Sequence, residues 1–416
     1  KNILKMETIN VTKNNDINKL FSFEEVKEVT KRALSNDANL IEYAIRPYSS
    51  GRLGYLSSHY RLDVIAMRKK ETITLSFFIK AVPYEVPDSA DYVIEKGVFK
   101  QETMFYNVIM PLLLEGYCGE SWAAMCYKIK SDSMVLEELS DKGYSIRDKL
   151  FDKSLVSAGL STLARMHAAS LLAETRLGTS LNRLYPDAFV ERGYAHEGMT
   201  REWMQSGIDV AAVVAESMGY DPDLIRSVCE EIYHTTKPSR TKTNVVSHGD
   251  LWANNLLFNN DVPPKCLLVD FQLLRYSPLA HDVAQLLYLC TDRSFRETWE
   301  STMLHHYYDT LRETLNMHEI RVQIPPWSEL IEGMEEQRLG AVITTVLFFP
   351  TVLMDENLSA QLMNNPASYM KFYFRDKKEF VLLNMKKDPI YNKRISEAII
   401  ELAEFALRLD QLPKPS

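Results

Sequence analysis

The chain has 416 residues, of which 46% are hydrophobic and 25% are charged, and its formal net charge at pH 7 is -8. This composition is that of a globular protein able to bury a large core, and the length favours two lobes. The acidic balance argues against an extended nucleic-acid surface, so we expect no nucleic-acid partner.

The cysteines argue against a zinc-binding protein, and the apolar stretches argue against a membrane-spanning one. The five cysteines are scattered and lack nearby histidines in a zinc-binding pattern, so we expect buried thiols in a reducing compartment. The apolar stretch Gly340–Met354 is too short to span a bilayer and contains Pro350, which predicts a buried helix and its exit. The N-terminus has no apolar signal segment, so we expect a cytoplasmic protein without a membrane partner. We also expect a monomer.

The first part of the chain is predicted to form an N-terminal helix followed by a small antiparallel sheet. Ser22–Glu25 fits a capping box that opens a helix over Phe23–Leu34. Alternation of apolar and polar residues predicts five strands, at Leu40–Pro47, Tyr55–Met67, Thr72–Val82, Ala124–Lys130 and Ser133–Leu139. We assign these elements to an N-lobe covering residues 1–138.

The loop between the first two predicted strands has the composition of a phosphate-binding turn. Gly51 and Gly54 would let backbone N–H groups approach phosphate oxygens, and the hydroxyl of Ser57 would add a donor. The sequence departs from the Gly-x-Gly-x-x-Gly pattern. Two glycines in a hairpin often serve only to form the turn and bind no phosphate. The assignment therefore depends on the other parts of the site.

Lys80 stands near the end of an apolar predicted strand, where a buried charge needs an anionic partner. Glu102, on a helix predicted over Asp91–Met110, is the candidate. Such a pair orients the ammonium toward the α- and β-phosphates of ATP. The alternative is an edge-strand lysine that reaches solvent.

The end of the fifth predicted strand, with the polar stretch that follows it, is interpreted as the connection between two lobes. An extended backbone there offers a carbonyl and an amide to the edge of adenine, a role that we assign to Glu137 and Leu139. The pair Glu137-Glu138 also fits a solvated strand end, and the two interpretations are compatible.

Beyond Asp152 the hydrophobic pattern becomes helical, and we assign residues 139–416 to a helical C-lobe. Predicted helices lie at Leu155–Ala173, Pro186–Tyr194, Arg201–Met218, Asp223–Thr235 and Asp282–Cys290. His167 lies on a mainly apolar helix and is interpreted as structural. Met303–Tyr308 and Val342–Met354 either wall an apolar pocket or belong to the core, and core is favoured at helical spacing.

The segment Val245–Phe258 carries the most informative pattern. Asp250 follows a short apolar strand, Asn255 lies five residues later, and Asp270 ends a further strand. An acid that receives a hydroxyl proton and two oxygen ligands for Mg²⁺ are what phosphoryl transfer from ATP requires. The alternative is a turn with a capping acid. Asp282 fits a helix cap, and its spacing from Asp270 also allows it to brace the loop.

The order of these parts resembles that of the kinase-like phosphotransferases of small molecules, a group that includes aminoglycoside phosphotransferases and choline kinases. The finer match resembles the ecdysteroid kinase-like family of insects, also described as CHK kinase-like. Three motifs carry it: Val135–Gly143, the His-Gly-Asp-x-Trp-x-Asn-Asn motif at His248–Asn255, and Asp-Phe-Gln at Asp270–Gln272. Gln272 replaces the glycine of the protein-kinase triplet, and no long activation segment precedes Ser277-Pro278, which argues against a protein substrate.

This resemblance implies an α+β, bilobal protein-kinase-like fold with a small antiparallel-sheet N-lobe and a large, mainly helical C-lobe. It implies ATP and Mg²⁺ as cofactors, with Asp250 accepting or orienting the acceptor hydroxyl, Asn255 and Asp270 holding the metal, Lys80 and Glu102 steadying the phosphates, and His248 supporting the loop. It also implies an ecdysteroid or another lipophilic or xenobiotic alcohol as substrate, phosphorylated for hormone inactivation or detoxification. A choline or ethanolamine kinase and a catalytically idle binding protein remain as alternatives.

Overall fold

The computed structural model describes residue 17 and residues 20–49 and 56–415. The chain divides into two compact units. The sheet unit comprises the residues up to Pro83 together with Met125–Asp141, and the helical unit comprises Tyr84–Ala124 and the residues from Lys142 onward. The predicted boundary after residue 138 differs from this division, because Tyr84–Ala124 was assigned to the N-lobe and belongs to the helical unit.

The sheet unit contains one five-stranded sheet. Its strands are β1 (Asn39–Pro47), β2 (Ser58–Arg68), β3 (Glu71–Ala81), β4 (Cys126–Ile129) and β5 (Ser133–Glu137). All neighbours are antiparallel and their order is β1-β2-β3-β5-β4. The prediction of five strands is thus confirmed, with ends that shift by up to three residues.

Helix α1 (Phe23–Ala33) covers one face of this sheet. Its capping box is complete, since the N–H of Glu25 donates to the Ser22 hydroxyl and the N–H of Ser22 donates to the Glu25 carboxylate. Val26 and Val29 of the helix are fully buried against sheet residues such as Leu62. The predicted helix start is confirmed.

The helical unit contains the remaining helices and two small sheets. Its helices are α2 (Pro87–Lys96), α3 (Val98–Met104), α4 (Met110–Leu114), α5 (Lys153–Leu177), α6 (Leu181–Leu184), α7 (Gly198–Ser217), α8 (Pro222–Cys229), α9 (Ile232–Thr235), α10 (Leu279–Cys290), α11 (Arg293–Asn316), α12 (Trp327–Val352), α13 (Glu356–Asn364), α14 (Pro366–Met370), α15 (Lys378–Lys387) and α16 (Pro389–Ala406). Its strands are β6 (Asn244–Ser247), β7 (Leu256–Phe258), β8 (Cys266–Leu268) and β9 (Arg275–Pro278). Antiparallel pairs join β6 to β9 and β7 to β8. A sheet unit followed by a mainly helical unit confirms the predicted α+β class.

Three predicted helices are wrong in extent. The helix expected over Asp91–Met110 is interrupted at Gly97, which has a left-handed φ of 69° and ends α2, and it continues through a π-helical turn at Phe105–Ile109. The helix expected over Pro186–Tyr194 is only a 3₁₀ turn at Pro186–Phe189, and the helix expected over Asp223–Thr235 is divided into α8 and α9. At position 97 the Arg192 guanidinium lies where a Cβ would stand, which together with the left-handed φ favours glycine there.

Helix α12 contains the long apolar stretch of the sequence and includes Pro350 near its end. Most of its residues from Leu339 to Val352 are buried, as predicted for a core helix. Across the part of the chain that the structure describes, no helix is both long enough and apolar enough to cross a membrane.

Candidate active site

The predicted catalytic residues lie in the helical unit, at the ends of its short strands. His248-Gly249-Asp250, called here the catalytic loop, follows β6 directly. Asn255 closes a 3₁₀ turn before β7, and Asp270 comes two residues after β8. The N–H of Val269 donates to the Asn255 carbonyl at 3.1 Å, so the two segments that carry the proposed metal ligands are joined.

The backbone of the catalytic loop admits only glycine at its centre. Gly249 has a φ of 77°, in the left-handed region that residues with a Cβ rarely adopt. A Cβ at this position would collide with the backbone carbonyl of Leu273 and approach the Arg275 guanidinium to 2.9 Å. The carbonyl belongs to the main chain and cannot rotate away, so the close approach fixes the residue type.

Asp282, in the first turn of α10, holds the loop by its amides. Its carboxylate accepts the N–H of His248 at 2.6 Å and the N–H of Gly249 at 3.0 Å. A third bond comes from His167 Nε2 at 3.2 Å. Burial opposes ionisation of Asp282, but the hydrogen bond from His167 holds its pKa well below the usual range. The carboxylate is therefore charged, and the possible bracing role noted from its spacing matches this geometry.

The hydrogen bonds of Asp282 extend through His167 into the core. His167 and Tyr307 are both fully buried, and the Tyr307 hydroxyl lies 2.7 Å from His167 Nδ1. Since His167 donates from Nε2 to the carboxylate, its Nδ1 accepts from Tyr307. His167 thus bonds to Asp282, which in turn holds the loop, and this position is compatible with a structural role.

Three further residues hold the loop and were not identified from the sequence. Gln285 accepts the N–H of Leu251 at 2.8 Å and donates to the Gly249 carbonyl at 3.1 Å. Arg275 donates to the same carbonyl at 2.5 Å and is itself bound by Glu191 at 2.6 Å. Burial disfavours the charge of Arg275, yet Glu191 holds its pKa above the ordinary value. The loop backbone is thus fixed from both of its sides by buried side chains.

His248 fastens the loop to the segment that carries Asp270. Its Nε2–H donates to the Val269 carbonyl at 2.9 Å, and its Nδ1 accepts the N–H of Asp250 at 3.2 Å. These two bonds together require the neutral ring with its hydrogen on Nε2. The side chain is fully buried, so its geometry fits the predicted supporting role.

Asp250 presents a buried and only partly satisfied carboxylate. Its side chain is 4% exposed, Oδ2 accepts from Asn255 Nδ2 at 3.1 Å, and Oδ1 has no hydrogen-bond partner among the described residues. Burial and the negative charge of Asp270 raise its pKa to about 7, while the charges of Arg275 and Lys96 act in the opposite direction. A carboxylate of this kind is suited to hold a proton near neutral pH.

The donor set around Asp250 fits a divalent cation with oxygen ligands. Asn255 uses its amide nitrogen for the Asp250 side chain and for the Asp250 carbonyl at 2.8 Å, so its amide oxygen is the group free to ligate. Asp270 is half-buried and has a φ of 70°, a strained conformation for a residue with a side chain. The repulsion that raises the Asp250 pKa is what a cation would relieve. Among the described residues no group of three or more His, Cys, Asp or Glu side chains forms a metal site, and Mg²⁺ commonly uses fewer protein ligands than that.

Phe271 anchors the segment after Asp270 in an aromatic cluster. Its ring stacks on Phe105 with centroids 3.9 Å apart and contacts Trp122 edge-on. Its N–H donates to the Glu102 carboxylate at 3.2 Å, and Glu102 is fully buried. Glu102 therefore bonds to the backbone next to Asp270, a contact that was not anticipated.

The remaining predicted residues lie in the sheet unit. Lys80 is 4% exposed in β3, where it faces His59 of β2 and Met134 of β5 in register. Its partnership with Glu102 stays a prediction. Ser57 is buried just before β2. Gly51 and Gly54, the other predicted phosphate-loop residues, lie outside the described residues.

Glu137, which is predicted to contact adenine through its backbone, bonds to Met125. The N–H of Glu137 donates to the Met125 carbonyl at 2.8 Å, and its carboxylate accepts the N–H of Met125 at 3.1 Å. The Glu137 amide is thus already bonded, and the predicted contact of the Glu137 backbone with adenine stays a prediction. The proposed contact of Leu139 stays a prediction.

Comparison with solved structures gives distant similarities. An ethanolamine kinase from Plasmodium vivax is 12% identical, with 86% of this chain and 85% of that one covered and a TM-score of 0.40. A choline kinase from Cryptosporidium parvum is 11% identical, with 89% and 90% covered and a TM-score of 0.42. A putative aminoglycoside phosphotransferase from Ralstonia eutropha is 12% identical, with 92% and 98% covered and a TM-score of 0.41. At this level the similarities assign neither substrate nor site residues.

Sequence comparison identifies the family. An uncharacterized kinase-like protein of Caenorhabditis elegans is 26% identical over 238 residues, which are 54% of this chain and 60% of that protein. The match thus spans less than two thirds of the relative's length. The model of the ecdysteroid kinase-like family matches residues 53–320, which is more than half of the chain and includes the catalytic loop and Asp270. The chain therefore belongs to the ecdysteroid kinase-like family.

Proposed function

We propose that the protein is an ATP- and Mg²⁺-dependent kinase that phosphorylates a hydroxyl group of a small molecule. The observation that carries this proposal is the catalytic loop, whose backbone is bonded by Asp282, Gln285 and Arg275. The loop presents an Asp250 carboxylate oxygen that has no hydrogen-bond partner among the described residues. Phosphoryl transfer depends mainly on positioning and charge neutralisation, which a rigid loop provides. Membership of the ecdysteroid kinase-like family supports the same class of reaction.

In this proposal Asp250 accepts or orients the proton of the attacking hydroxyl through Oδ1. Its raised pKa makes the carboxylate a stronger proton acceptor than an exposed aspartate, and Asn255 holds its other oxygen in place. His248 keeps the Asp250 backbone in register with the segment that carries Asp270. General acid-base catalysis of this kind contributes roughly 10² to 10⁴ in rate.

Asn255 and Asp270 are the residues that would hold Mg²⁺. The metal would neutralise charge on the phosphates of ATP during transfer. Lys80, with Glu102 as its proposed partner, would steady the phosphates, and Gly51, Gly54 and Ser57 would surround them. The backbone of Glu137 and Leu139 would bind adenine.

For the acceptor we propose a lipophilic hydroxylated compound, namely an ecdysteroid or a plant or xenobiotic alcohol. Phosphorylation would add charge to such a molecule and thereby inactivate a hormone or prevent a toxin from crossing membranes. The family description supports this choice over a protein substrate. So does the short segment between Asp270 and β9, which leaves no room for a long activation segment.

The test is a mass-spectrometric screen of the purified protein with ATP and Mg²⁺. The acceptors are ecdysteroids, plant and drug alcohols, and choline, and Asp270→Ala serves as the inactive control. A phosphate adduct on a steroid or xenobiotic alcohol that disappears in Asp270→Ala supports the proposal. An adduct on choline alone replaces the substrate class, and steroid binding without ATP binding replaces the kinase by a binding protein.

A further inference from the structure

The carboxylate of Glu191 is held by the backbone of its own turn. Glu191 lies in the connection between the 3₁₀ turn at Pro186–Phe189 and α7. Its Oε1 accepts the N–H of Gly193 at 2.6 Å and the N–H of Tyr194 at 3.1 Å. Two backbone donors therefore fix the direction of this carboxylate independently of other side chains.

Arg275 joins this carboxylate to the catalytic loop through one planar group. Its Nε donates to Glu191 Oε2 at 2.6 Å and its Nη2 to Oε1 at 2.9 Å, while its Nη1 donates to the Gly249 carbonyl at 2.5 Å. A guanidinium group is rigid and planar, so two bonds along one edge fix the direction of the remaining donor. Glu191 thus determines the direction of the N–H that the Gly249 carbonyl accepts.

The Gly249 carbonyl belongs to the same peptide unit as the N–H of Asp250. That N–H donates to His248 Nδ1 at 3.2 Å. The carbonyl accepts from Arg275 and, at 3.1 Å, from Gln285. Glycine places few steric limits on the orientation of the peptide that follows it, so hydrogen bonds must hold this unit in place. A peptide unit that turned over would lose the His248 bond and move the Asp250 carboxylate.

Gln101 of α3 keeps the Glu191 turn beside Arg275. Its side-chain nitrogen donates to the Val190 carbonyl at 2.9 Å and to the Leu274 carbonyl at 3.0 Å, and the residue is 1% exposed. Val190 directly precedes Glu191, and Leu274 directly precedes Arg275. One buried amide therefore joins the two chain segments that carry the ion pair.

The fold does not require a charged pair at this position. Arg275 stands in β9 opposite Ser247 of β6 and is 3% exposed. Removal of a guanidinium from water costs free energy that an ion pair does not always offset, and apolar residues of similar volume often stabilise a fold equally well. The pair of Arg275 and Glu191 is therefore better explained by the bond that it directs to the catalytic loop than by stability.

We propose that Glu191 and Arg275 are positioning residues for phosphoryl transfer. By holding the peptide unit that precedes Asp250 in one orientation, they aim the Asp250 carboxylate at the acceptor hydroxyl. Neither residue touches a reactant, because both act through the backbone. The inference rests on the proposed function and deepens it, since it makes the connection that carries Glu191 part of the machinery that sets the rate. A displacement of about 1 Å at a reacting group can cost roughly 10²-fold, so the effect belongs in kcat and not in the KM for ATP.

The state of this peptide unit can be observed directly. Gly249-Asp250 is the only Gly-Asp pair in the sequence. Cell-free synthesis of the full chain with carbonyl-¹³C glycine and ¹⁵N aspartate therefore gives a single amide signal that carries both labels. Loss of a hydrogen bond to a carbonyl moves its carbon signal to lower frequency. We expect this shift in Glu191→Gln and a larger shift in Arg275→Met.

Kinetics then separate positioning from stability. ADP release from ATP and Mg²⁺ is measured with an ecdysteroid as acceptor and with water alone. We expect kcat to fall about tenfold in Glu191→Gln and about 10²-fold in Arg275→Met, with the KM for ATP within about twofold of wild type. The double variant Glu191→Met/Arg275→Met removes both charges together, so it should fold even where a single variant does not. Its kcat should be no lower than that of Arg275→Met, because Glu191 acts only through Arg275.

A second buried arginine provides the matched control. Arg296 is 7% exposed, donates to Glu401 at 2.6 Å and donates to the Thr291 carbonyl at 3.0 Å, so it repeats the arrangement of Arg275. Thr291 follows the last residue of α10, at the opposite end of that helix from Asp282. Arg296→Met and Glu401→Gln should lower the melting temperature by several degrees, as the variants of the first pair do. They should leave kcat and the labelled signal unchanged.

The outcomes separate this inference from the proposed kinase function. The positioning role is overturned by an unchanged labelled signal in both single variants, by wild-type kcat in variants whose signal shifts, or by an equal fall of kcat in the control pair. If phosphorylation of an alcohol is found all the same, the kinase proposal stands without it. If the wild type releases no ADP with either acceptor while the labelled signal shifts as expected, the kinase proposal fails, and the pair holds the loop without a role in transfer.

Discussion

Replacement of Asp250 by asparagine should make the ligand-free protein more stable at neutral pH while removing its activity. The carboxylate is buried, Asp270 repels its charge, and one of its oxygens has no hydrogen-bond partner in the part of the chain that the structure describes. Its pKa is raised from 3.8 to about 7, so the folded state binds this proton more tightly than the unfolded state does. The ionised carboxylate therefore destabilises the fold.

The sign and the size follow from proton linkage. The folded state keeps the Asp250 proton up to about pH 7, whereas the unfolded state releases it above pH 3.8. The stabilisation by the protonated form is therefore fully present below pH 3.8 and is lost as pH rises through about 7. A difference of about three pKa units corresponds to roughly 4 kcal/mol at pH 8, falling to roughly 2 kcal/mol at pH 5. Asparagine cannot ionise, and it can keep the bond from Asn255 through its oxygen. Because it also buries an amide group, we expect a net gain of about 2 to 4 kcal/mol at pH 8.

The assay is denaturant unfolding of wild type and Asp250→Asn at pH 5 and pH 8, in EDTA and without nucleotide. The exposed Asp410→Asn is the matched control, for which no stability change is expected at either pH. Added Mg²⁺ should stabilise the wild type more than the variant, since the cation relieves a repulsion that only the wild type has. The reasoning would be refuted by a variant that is no more stable than wild type at pH 8, or by a difference that does not shrink toward pH 5.

Three other substitutions test the site. Asp270→Ala should abolish turnover in a folded protein, and full activity in the phosphate-transfer assay would remove the magnesium assignment. Asp282→Asn should lower the free energy of unfolding by about 2 to 4 kcal/mol in denaturant unfolding and should lower the catalytic rate. The reason is that an amide nitrogen facing the His248 or Gly249 N–H cannot accept a hydrogen bond. A variant as stable as wild type would contradict the bracing role. Gly249→Ala should reduce the yield of folded protein or lower the melting temperature by several degrees, given the collision with the Leu273 carbonyl, and a melting temperature equal to that of wild type would contradict it.

The sequence was most informative where local pattern and chemistry coincide. The short apolar runs around Asp250 and Asp270 are too brief for helices, so their strand assignment also placed both acids at strand ends. The capping box at Ser22 is likewise a local signal, and both of its bonds form. Each of these features involves residues a few positions apart, where one segment contains all the information needed.

The features that were not predicted are of two kinds. Some depend on contacts between distant segments, and others had a local signal in the sequence. The bond from Arg275 to Glu191 joins residues 84 positions apart and leaves no trace in local periodicity. Gly97 follows Lys96 at the end of a periodic segment, which is a regular signal for a helix end, so the interruption of the predicted helix was readable. Gln285 was readable as well, because it is a polar residue one turn after Asp282 in a mainly apolar helix.

Asp250 links the proposed metal to the protonation of the site. Burial and the negative charge of Asp270 raise the pKa of Asp250 to about 7, so the ionised carboxylate destabilises the fold. A cation held by Asn255 and Asp270 would offset that repulsion and favour the ionised form, so metal binding and proton release are linked at Asp250. The stability that the ionised carboxylate costs is consequently part of the free energy that a bound cation restores.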